Sequence, residues 1–359
     1  MNKWIFLLCV ALAGCQASQP DKAKDNLCET IDLSTVLDQK ATEIPLGEWA
    51  KEVRFVPLET SDSVLLNGYI SYLVLFQDKI VIYNTDKIYL FSSEGKFIRT
   101  IGSKGEGPGE YVSVRNLSAD QEGIHAVDEG KKIHTYGWDG QWLRTANVPA
   151  NIDIREICLL PDGRRIGYAP NLSGKEPIRM YLFRDSTVLD SIPYAKSFEP
   201  GKITMVFYNE CQLFSSPSGD YIKEMFNDTI YRVTEKSALV PRWVVDAGKY
   251  QLEEGARYQL EDPRNSLFKE KNAAQINIVG YSSGKLYLTA NLNGQSRLVV
   301  YDEQSGKAES LELPYPKHPF TFKEGNTFIP RFVSDDNRYL IGYEAQENEE
   351  NPVIILVER

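Results

Sequence analysis

The chain has 359 residues and a formal net charge of −10, and 42% of its residues are hydrophobic. This is the composition of a globular protein with enough apolar residues for a large core. A phosphate-binding surface needs clustered lysine and arginine, and this acidic sequence has no such cluster, so it predicts no nucleic-acid partner. The 20 tyrosines and 15 phenylalanines, against 4 methionines, favour strands over helices.

The N-terminus predicts export. Lys3 supplies a positive start, and Trp4 to Leu12 is an apolar run too short to span a bilayer. The following Leu12-Ala13-Gly14-Cys15 resembles the lipobox of bacterial lipoprotein signal peptides. The resemblance implies removal of residues 1–14 as a signal peptide and lipidation of Cys15, which would anchor the protein to a membrane without spanning it. An ordinary cleaved signal with a chance cysteine is the alternative.

The polar stretch after the lipobox predicts a tether. Residues 15–46 mix lysine and aspartate with little periodicity, so we expect a flexible segment between the lipid and a folded domain at 47–359. The remaining cysteines are Cys28, Cys158 and Cys211. They are too scattered for a disulfide framework or a metal-ligand spacing, and the last two lie in apolar runs typical of buried thiols.

The next signal in chain order is a repeat. A strand–turn–strand pattern is formed by Ile88-Tyr89-Leu90-Phe91, Glu94-Gly95 and Phe97 to Thr100. The same pattern recurs about 45 residues later at Ile133 to Tyr136, Asp139-Gly140 and Trp142 to Thr145. Strand repeats of this period are typical of β-propeller blades. The strand pattern predicts an all-β fold, a six-bladed β-propeller. Its blades begin near Tyr69, Val114, Ile154, Cys211, Ile276 and Arg331.

Two segments depart from the simple repeat. The last blade is one strand short, and the alternating run Val53 to Leu58 can supply that strand, so that the two chain ends close the ring. Gly248 to Ala274 is charged and rich in helix formers, with Pro263 in its middle. It predicts either one or two short helices inserted between blades and lying across one face, or a long irregular loop.

Several motifs together resemble the six-bladed β-propeller lipoproteins of Gram-negative envelopes, which have NHL-like repeats. The marks are the lipobox, the opening Val53 to Thr60, the Gly102 to Tyr111 loop and Asn227-Asp228-Thr229-Ile230-Tyr231. The resemblance implies an outer-membrane lipoprotein with a propeller domain. It does not choose between a binding module and an enzyme, because propellers serve as both.

Familiar catalytic and metal-binding motifs are missing from the sequence. The glycine run Gly102 to Gly109 contains two glutamates and a proline and precedes a strand, so it predicts an inter-blade turn and no phosphate loop. His125, His134 and His318 lack metal-ligand spacing, so we expect no metal and no cofactor, although carboxylates from different blades leave a mixed site open. Paired carboxylates for glycoside hydrolysis also stay open.

One set of residues has a regular placement. Arg115, Arg155 and Arg331 each open the first strand of a blade, and first strands line the central channel of a propeller. Their guanidinium groups would converge on a carboxylate, sulfate or phosphate at one mouth of the channel. Asn116, Glu156 and Asn209 lie near the same level and would add hydrogen bonds. The alternative is that each arginine pairs with a carboxylate on a neighbouring blade and only ties the ring together.

These observations predict a membrane-anchored binding module for a glycan, an anionic small molecule or another envelope protein. A propeller lyase or hydrolase acting on glycans is the alternative, and a buried carboxylate with a strongly raised pKa would favour it. A channel plugged by side chains would suggest a purely structural scaffold. The neutral Gln16 to Pro20 after the lipidated cysteine slightly favours the periplasmic face of the outer membrane over the cell surface.

Overall fold

The computed structural model describes residues 28–359 except 130, 151, 186, 204, 208, 263, 317–325 and 347–349. The signal peptide and Cys15 therefore lie outside the described residues. Six antiparallel sheets follow one another along the chain, and the first strand of each sheet packs beside the first strands of its two neighbours. The last sheet also packs against the first, so the ring is closed and the predicted six-bladed propeller is confirmed.

The first three blades consist of short apolar strands separated by turns, some of which have glycine at positive φ, such as Gly95 and Gly140. Blade 1 contains Tyr72–Phe76, Lys79–Asn84, Lys87–Ser92 and Phe97–Ile101. Blade 2 contains Val114–Ala119, Gly123–Asp128, Lys132–Gly137 and Trp142–Asn147. Blade 3 contains Glu156–Leu159, Arg165–Tyr168, Ile178–Arg184 and Thr187–Pro193.

The other three blades each include a strand from the N-terminal part of the chain. Blade 4 contains Cys211–Ser216, Gly219–Glu224, Thr229–Val233, Leu239–Asp246 and the added Glu29–Asp32. Blade 5 contains Gln275–Ser282, Lys285–Leu292, Gln295–Asp302, Lys307–Glu312 and the added Thr42–Glu43. Blade 6 contains Phe332–Val333, Tyr339–Glu344, Val353–Glu358 and Glu52–Pro57.

The ring closes as the sequence predicts. Glu52–Pro57 pairs antiparallel with the C-terminal strand Val353–Glu358 and becomes the outer strand of blade 6. Val56 and Leu58 are buried against blade 6 and blade 1 residues, so the clasp between the chain ends is part of the core.

The predicted tether is too long at its C-terminal end. Glu29–Asp32 lies parallel to Leu239–Asp246 on the outer edge of blade 4, and Ile31 and Leu33 are fully buried. Leu33, Leu37 and Leu46 fill gaps between blades, which a solvated tether would not do. Residues 29–46 therefore belong to the propeller.

The inserted segment is largely non-helical but contains the short helices expected. It holds two single 3₁₀ turns, Gly248–Tyr250 and Glu254–Tyr258, and one α-helical turn, Leu267–Glu270. Leu252, Ala256 and Leu267 pack it onto blade 4 near Phe226. A further α-helical turn spans Leu46–Trp49. No helix in the described part of the chain is long and apolar enough to cross a bilayer.

The remaining strands are two-residue bridges in the inter-blade loops. Ser103–Lys104 pairs with Glu110–Tyr111, and Pro314–Tyr315 pairs with Asn326–Thr327. In the first of these loops the Glu110 carboxylate accepts the Gly107 N–H at 2.8 Å. The loop binds its own carboxylate where a phosphate loop would bind its ligand, in agreement with its assignment as an inter-blade turn.

Candidate functional site

One face of the ring carries all five site residues predicted from the sequence. In a four-stranded antiparallel blade, the first strand starts at the same end where the fourth strand stops, so every blade-to-blade loop lies on this face. The loop between the second and third strands of each blade lies there too. We call this the loop face, and the opening of the central channel on it the channel mouth.

Tyr72, the first residue of the inner strand of blade 1, spans the channel mouth. Its hydroxyl lies within hydrogen-bonding distance of the Arg115 carbonyl oxygen in blade 2 and of Asn209 Oδ1 just before blade 4. Blades 1 and 4 are opposite each other in a six-membered ring, so this contact crosses the channel. Burial raises the pKa of Tyr72, which keeps the phenol protonated. The mouth therefore has a polar floor and is not an open pore.

Glu156, at the start of blade 3, lies beside this floor. Its carboxylate accepts the backbone N–H of Glu210 at 3.0 Å and that of Cys211 at 2.8 Å. Burial is the largest cause that raises the pKa of Glu156, from 4.5 to about 7, and the neighbouring Glu210 charge adds to it. The backbone donors oppose the rise without cancelling it. Glu156 is thus a carboxyl that changes protonation state near neutral pH.

The five residues predicted from the sequence all lie on the loop face, but they have different surroundings. Arg115 forms an ion pair with Glu129 at 2.9 Å, within its own blade and not with a neighbouring one. Arg331 is exposed, with its guanidinium 4.8 Å from the Tyr343 ring centre. Arg155 is exposed. Among the described residues no contact joins the three guanidinium groups, so their convergence stays a prediction.

The two predicted asparagines contact other blades, Asn116 the adjacent one and Asn209 the one opposite. Asn116 Nδ2 lies 3.9 Å from the Cys158 sulfur in blade 3. Asn209 is exposed and has a positive φ of 58°, a conformation that asparagine tolerates better than most residues. That backbone turn places its side chain next to Tyr72.

A second polar group on the same face was not predicted. The Tyr168 hydroxyl lies 2.8 Å from Glu210 Oε2 and 2.9 Å from Glu224 Oε2. Arg257, from the inserted segment, pairs with Glu210, and Arg179 pairs with Glu224 at 3.1 Å. We call these five side chains the buried network, since each is at most 5% exposed.

The buried network is held by opposite charges. Burial raises the pKa of Tyr168 well above its usual value, so its hydroxyl remains a donor. Burial also raises the pKa of Glu210, while the Arg257 charge beside it acts in the opposite direction. The partners lie between 42 and 89 residues apart in the sequence. No local pattern could have brought them together, which is why sequence reasoning missed them.

One group of possible metal ligands lies on the opposite face. Asp120, Glu122 and His125 each offer an atom within 4.8 Å of the others. Glu122 is already engaged by Arg144, with Nη2 2.7 Å from Oε2, and a guanidinium competes with a cation for that carboxylate. The group therefore gives no support for a metal centre.

Two solved structures with the same fold come from Bacteroides species. A protein of Bacteroides fragilis that is thought to be exported aligns with a TM-score of 0.64 at 15% identity, covering 93% of this chain and 100% of that one. A member of the DUF4221 family from Bacteroides vulgatus aligns with a TM-score of 0.53 at 10% identity, covering 86% and 97%. At these identities the likeness shows the fold alone.

A streptogramin B lyase also aligns, at 13% identity over 85% of this chain and 97% of that one, but its TM-score of 0.45 supports no inference about activity. No protein with a curated description matches the sequence. One family model matches residues 28–358, almost the whole described chain and including the N-terminal strands of blades 4, 5 and 6. The chain belongs to the family described as a domain of unknown function, DUF4934.

Proposed function

We propose that this protein is an envelope-located binding module whose ligand docks at the channel mouth. The observation that carries the proposal is the Tyr72 contact with Asn209, which lies across the channel mouth as a polar floor. We call the space above this floor the basin. The loops around the basin expose large apolar side chains, namely Tyr69 (59% exposed), Val112 (43%) and Val206 (53%). Exposed apolar side chains beside polar groups are common features of interaction sites.

The ligand class follows from the side chains that remain accessible around the basin. Arg155 and Arg331 are exposed there, and Arg331 rests on an aromatic ring that leaves its N–H groups available. Arg115 is partly neutralised by Glu129. This supports an anionic small molecule or a glycan with an acidic group, held by Arg155, Arg331, Arg115, Asn116 and Asn209.

The proposed cellular location of the protein is inferred from its sequence. The lipobox-like Leu12 to Cys15 supports lipidation of Cys15 and attachment to the outer membrane of a Gram-negative bacterium, with the periplasmic face slightly favoured. Another envelope protein is a further candidate partner. The acidic composition supports no nucleic-acid partner, and we propose no cofactor or metal.

A second function is favoured by one specific observation. Glu156 has its pKa raised to about 7 and lies beside a protonated tyrosine, which suits a general acid or base working at neutral pH. A lyase or hydrolase acting on glycans would use it at the same basin. Loss of glycan turnover in Glu156→Gln, with ligand binding retained, would support this alternative.

The binding proposal is tested with the mature domain and a panel of acidic and neutral glycans and small anions. We expect at least one anionic member to bind, and the double variant Arg155→Ala/Arg331→Ala to weaken it by about tenfold or more, since charge-assisted hydrogen bonds are lost. Arg338→Ala, an equally exposed arginine paired with Glu358, is the matched control and should bind normally. Equal binding by the double variant and the wild type would contradict the proposal.

A further inference from the structure

The inner strands of blades 3 and 4 bring two buried cysteines together. Cys158 lies in Glu156–Leu159 and Cys211 opens Cys211–Ser216, and these two strands pack side by side. The two cysteines are 2% and 7% exposed and belong to the same apolar cluster. Nothing in their sequence spacing indicates this pairing, because the packing of adjacent blades produces it.

The contacts around the two thiols fix their positions. The Cys211 N–H donates to the Glu156 carboxylate at 2.8 Å, which ties the start of one strand to a side chain of the other. Asn116 Nδ2 lies 3.9 Å from Cys158 Sγ. Burial is the largest cause that raises the pKa of Cys211, and a hydrogen bond with the Cys158 side chain is the next. The two sulfur atoms are therefore direct neighbours where blades 3 and 4 meet.

Neighbouring thiols of this kind are well placed for a disulfide. Two sulfur atoms that are already hydrogen-bonded need only a small approach to reach the bonded separation of roughly 2 Å. A bond between Cys158 and Cys211 would close the long loop that contains the outer strands of blade 3. Closing such a loop restricts the unfolded chain and so stabilises the fold.

The envelope location proposed above supplies the oxidising conditions. Disulfides form and persist in the bacterial periplasm, whereas cytosolic thiols are kept reduced. Burial disfavours the thiolate of Cys211, which is the reactive form, so the folded pair exchanges slowly with an external thiol or oxidant. The bond therefore has to form while the chain folds, and it persists once the two blades have packed around it.

We infer that Cys158 and Cys211 form a disulfide in the exported protein and join the inner strands of blades 3 and 4. The structure shows the pair in its reduced form. The oxidant is a disulfide-carrying oxidoreductase of the envelope. One cysteine thiolate attacks the disulfide of that enzyme, and the second thiolate then displaces the enzyme from the mixed disulfide. One S–S bond forms in this chain, and two electrons and two protons leave with the oxidoreductase as two thiols.

The bond would also hold one wall of the channel mouth. Glu156 precedes Cys158 by two residues and accepts the Cys211 N–H, so the two strands that surround its carboxyl would be covalently joined. The inference rests on the proposed envelope location and on no ligand.

The test is a non-reduced peptide map of the full chain, produced with its own signal peptide in a Gram-negative host and alkylated during lysis. After trypsin digestion the bond would link peptides 156–164 and 203–223. We expect this linked pair, lighter than the two free peptides by two hydrogen atoms, and its loss on reduction. Alkylated Cys158 and Cys211 in separate peptides would overturn the inference, and so would a link from either of them to Cys28.

Thermal unfolding gives a second measurement that does not depend on where the protein is located. The mature domain, refolded in a glutathione redox buffer, should contain the same linked peptides and melt about 5 °C lower when a reductant is present. Cys158→Ala/Cys211→Ala should melt at one temperature with and without the reductant. Cys28→Ala, which removes an exposed thiol, is the matched control and should respond as the wild type does.

Two further outcomes would contradict the inference. A wild-type melting temperature that does not respond to the reductant would show that the two thiols do not join. A bond in the refolded domain but free thiols in the envelope sample would overturn the proposed location and the inference with it. Neither measurement uses a ligand, so a failure of the proposed binding function would leave both results unchanged.

Discussion

The channel mouth and the buried network are neighbours on one face, but their carboxyl groups have opposite surroundings. Glu210 and Glu224 each have an arginine partner, whereas Glu156 receives only neutral backbone N–H donors. The two groups meet at Glu210, whose N–H bonds Glu156 while its carboxylate bonds Tyr168.

The comparison shows how a cationic partner changes the role of a buried carboxyl group. At Glu210 the Arg257 charge opposes the rise in pKa that burial causes. The ion pairs of this group tie blade 3, blade 4 and the inserted segment together. Without a cationic partner, burial raises the pKa of Glu156 to about 7 and leaves a group that responds to pH. The buried network therefore stabilises the fold, and the channel mouth retains a chemically adjustable group.

The largest expected effect is the loss of Arg257. Arg257→Ala leaves the Glu210 carboxylate buried without its cation, which should lower the free energy of unfolding by about 3–5 kcal/mol. Urea denaturation monitored by tryptophan fluorescence measures it. Arg264→Ala, in the same segment but on an exposed pair with Asp262, is the control and should leave stability unchanged. A loss as small as the control's would mean that the buried network is not structural.

The second effect is the pH dependence that Glu156 contributes. Its pKa is raised in the folded state, so its stabilising contribution is complete below about pH 4.5 and is lost as the pH rises through 7. The difference in unfolding free energy between the wild type and Glu156→Gln should therefore shift by about 3 kcal/mol between pH 4.5 and pH 8, in favour of the variant. A difference that does not vary with pH would show that Glu156 titrates normally.

A smaller effect is expected from the Tyr168 hydroxyl. Tyr168→Phe removes one donor from the buried network but leaves both arginine–glutamate pairs, so the unfolding free energy should fall by about 1–3 kcal/mol. Tyr69→Phe, whose ring is 59% exposed, should have no measurable effect in the same denaturation series. If Tyr168→Phe lowered the unfolding free energy more than Arg257→Ala does, the hydroxyl would stabilise the buried network more than the arginine does, contrary to this prediction.

The smallest effect should come from Tyr72. Tyr72→Phe loses a hydrogen bond at a mouth that is still partly solvated, and we expect a loss of about 0.5–1.5 kcal/mol. Thermal unfolding of Tyr72→Phe, measured alongside the control variant Tyr69→Phe, tests this expectation. If Tyr72→Phe destabilised the protein as much as Arg257→Ala, the mouth would be a structural lock, and the distinction between the two groups would fail.

The blades were predictable because each one repeats a local pattern of strands and glycine turns, and so was the closing strand at Val53 to Leu58. The edge strand at Glu29–Asp32 was missed because its few apolar residues stand among polar ones and pair with residues more than 200 positions away. Arg115 and Asn209 were found from their position at strand starts. The Asn209 partner was not, because Tyr72 belongs to the opposite blade and only the closure of the ring brings the two side chains together.

The most direct measurement of the central difference is the titration of Glu156 itself. Selective ¹³C labelling of the glutamate carboxyl carbons gives one titration curve per residue by NMR, and Glu156→Gln identifies the Glu156 signal by its disappearance. The structure predicts a midpoint near pH 7 for this carboxyl. A midpoint near 4.5, the ordinary glutamate value, would mean that the channel mouth holds no carboxyl that responds to pH, and the difference between Glu156 and the arginine-paired glutamates would fail.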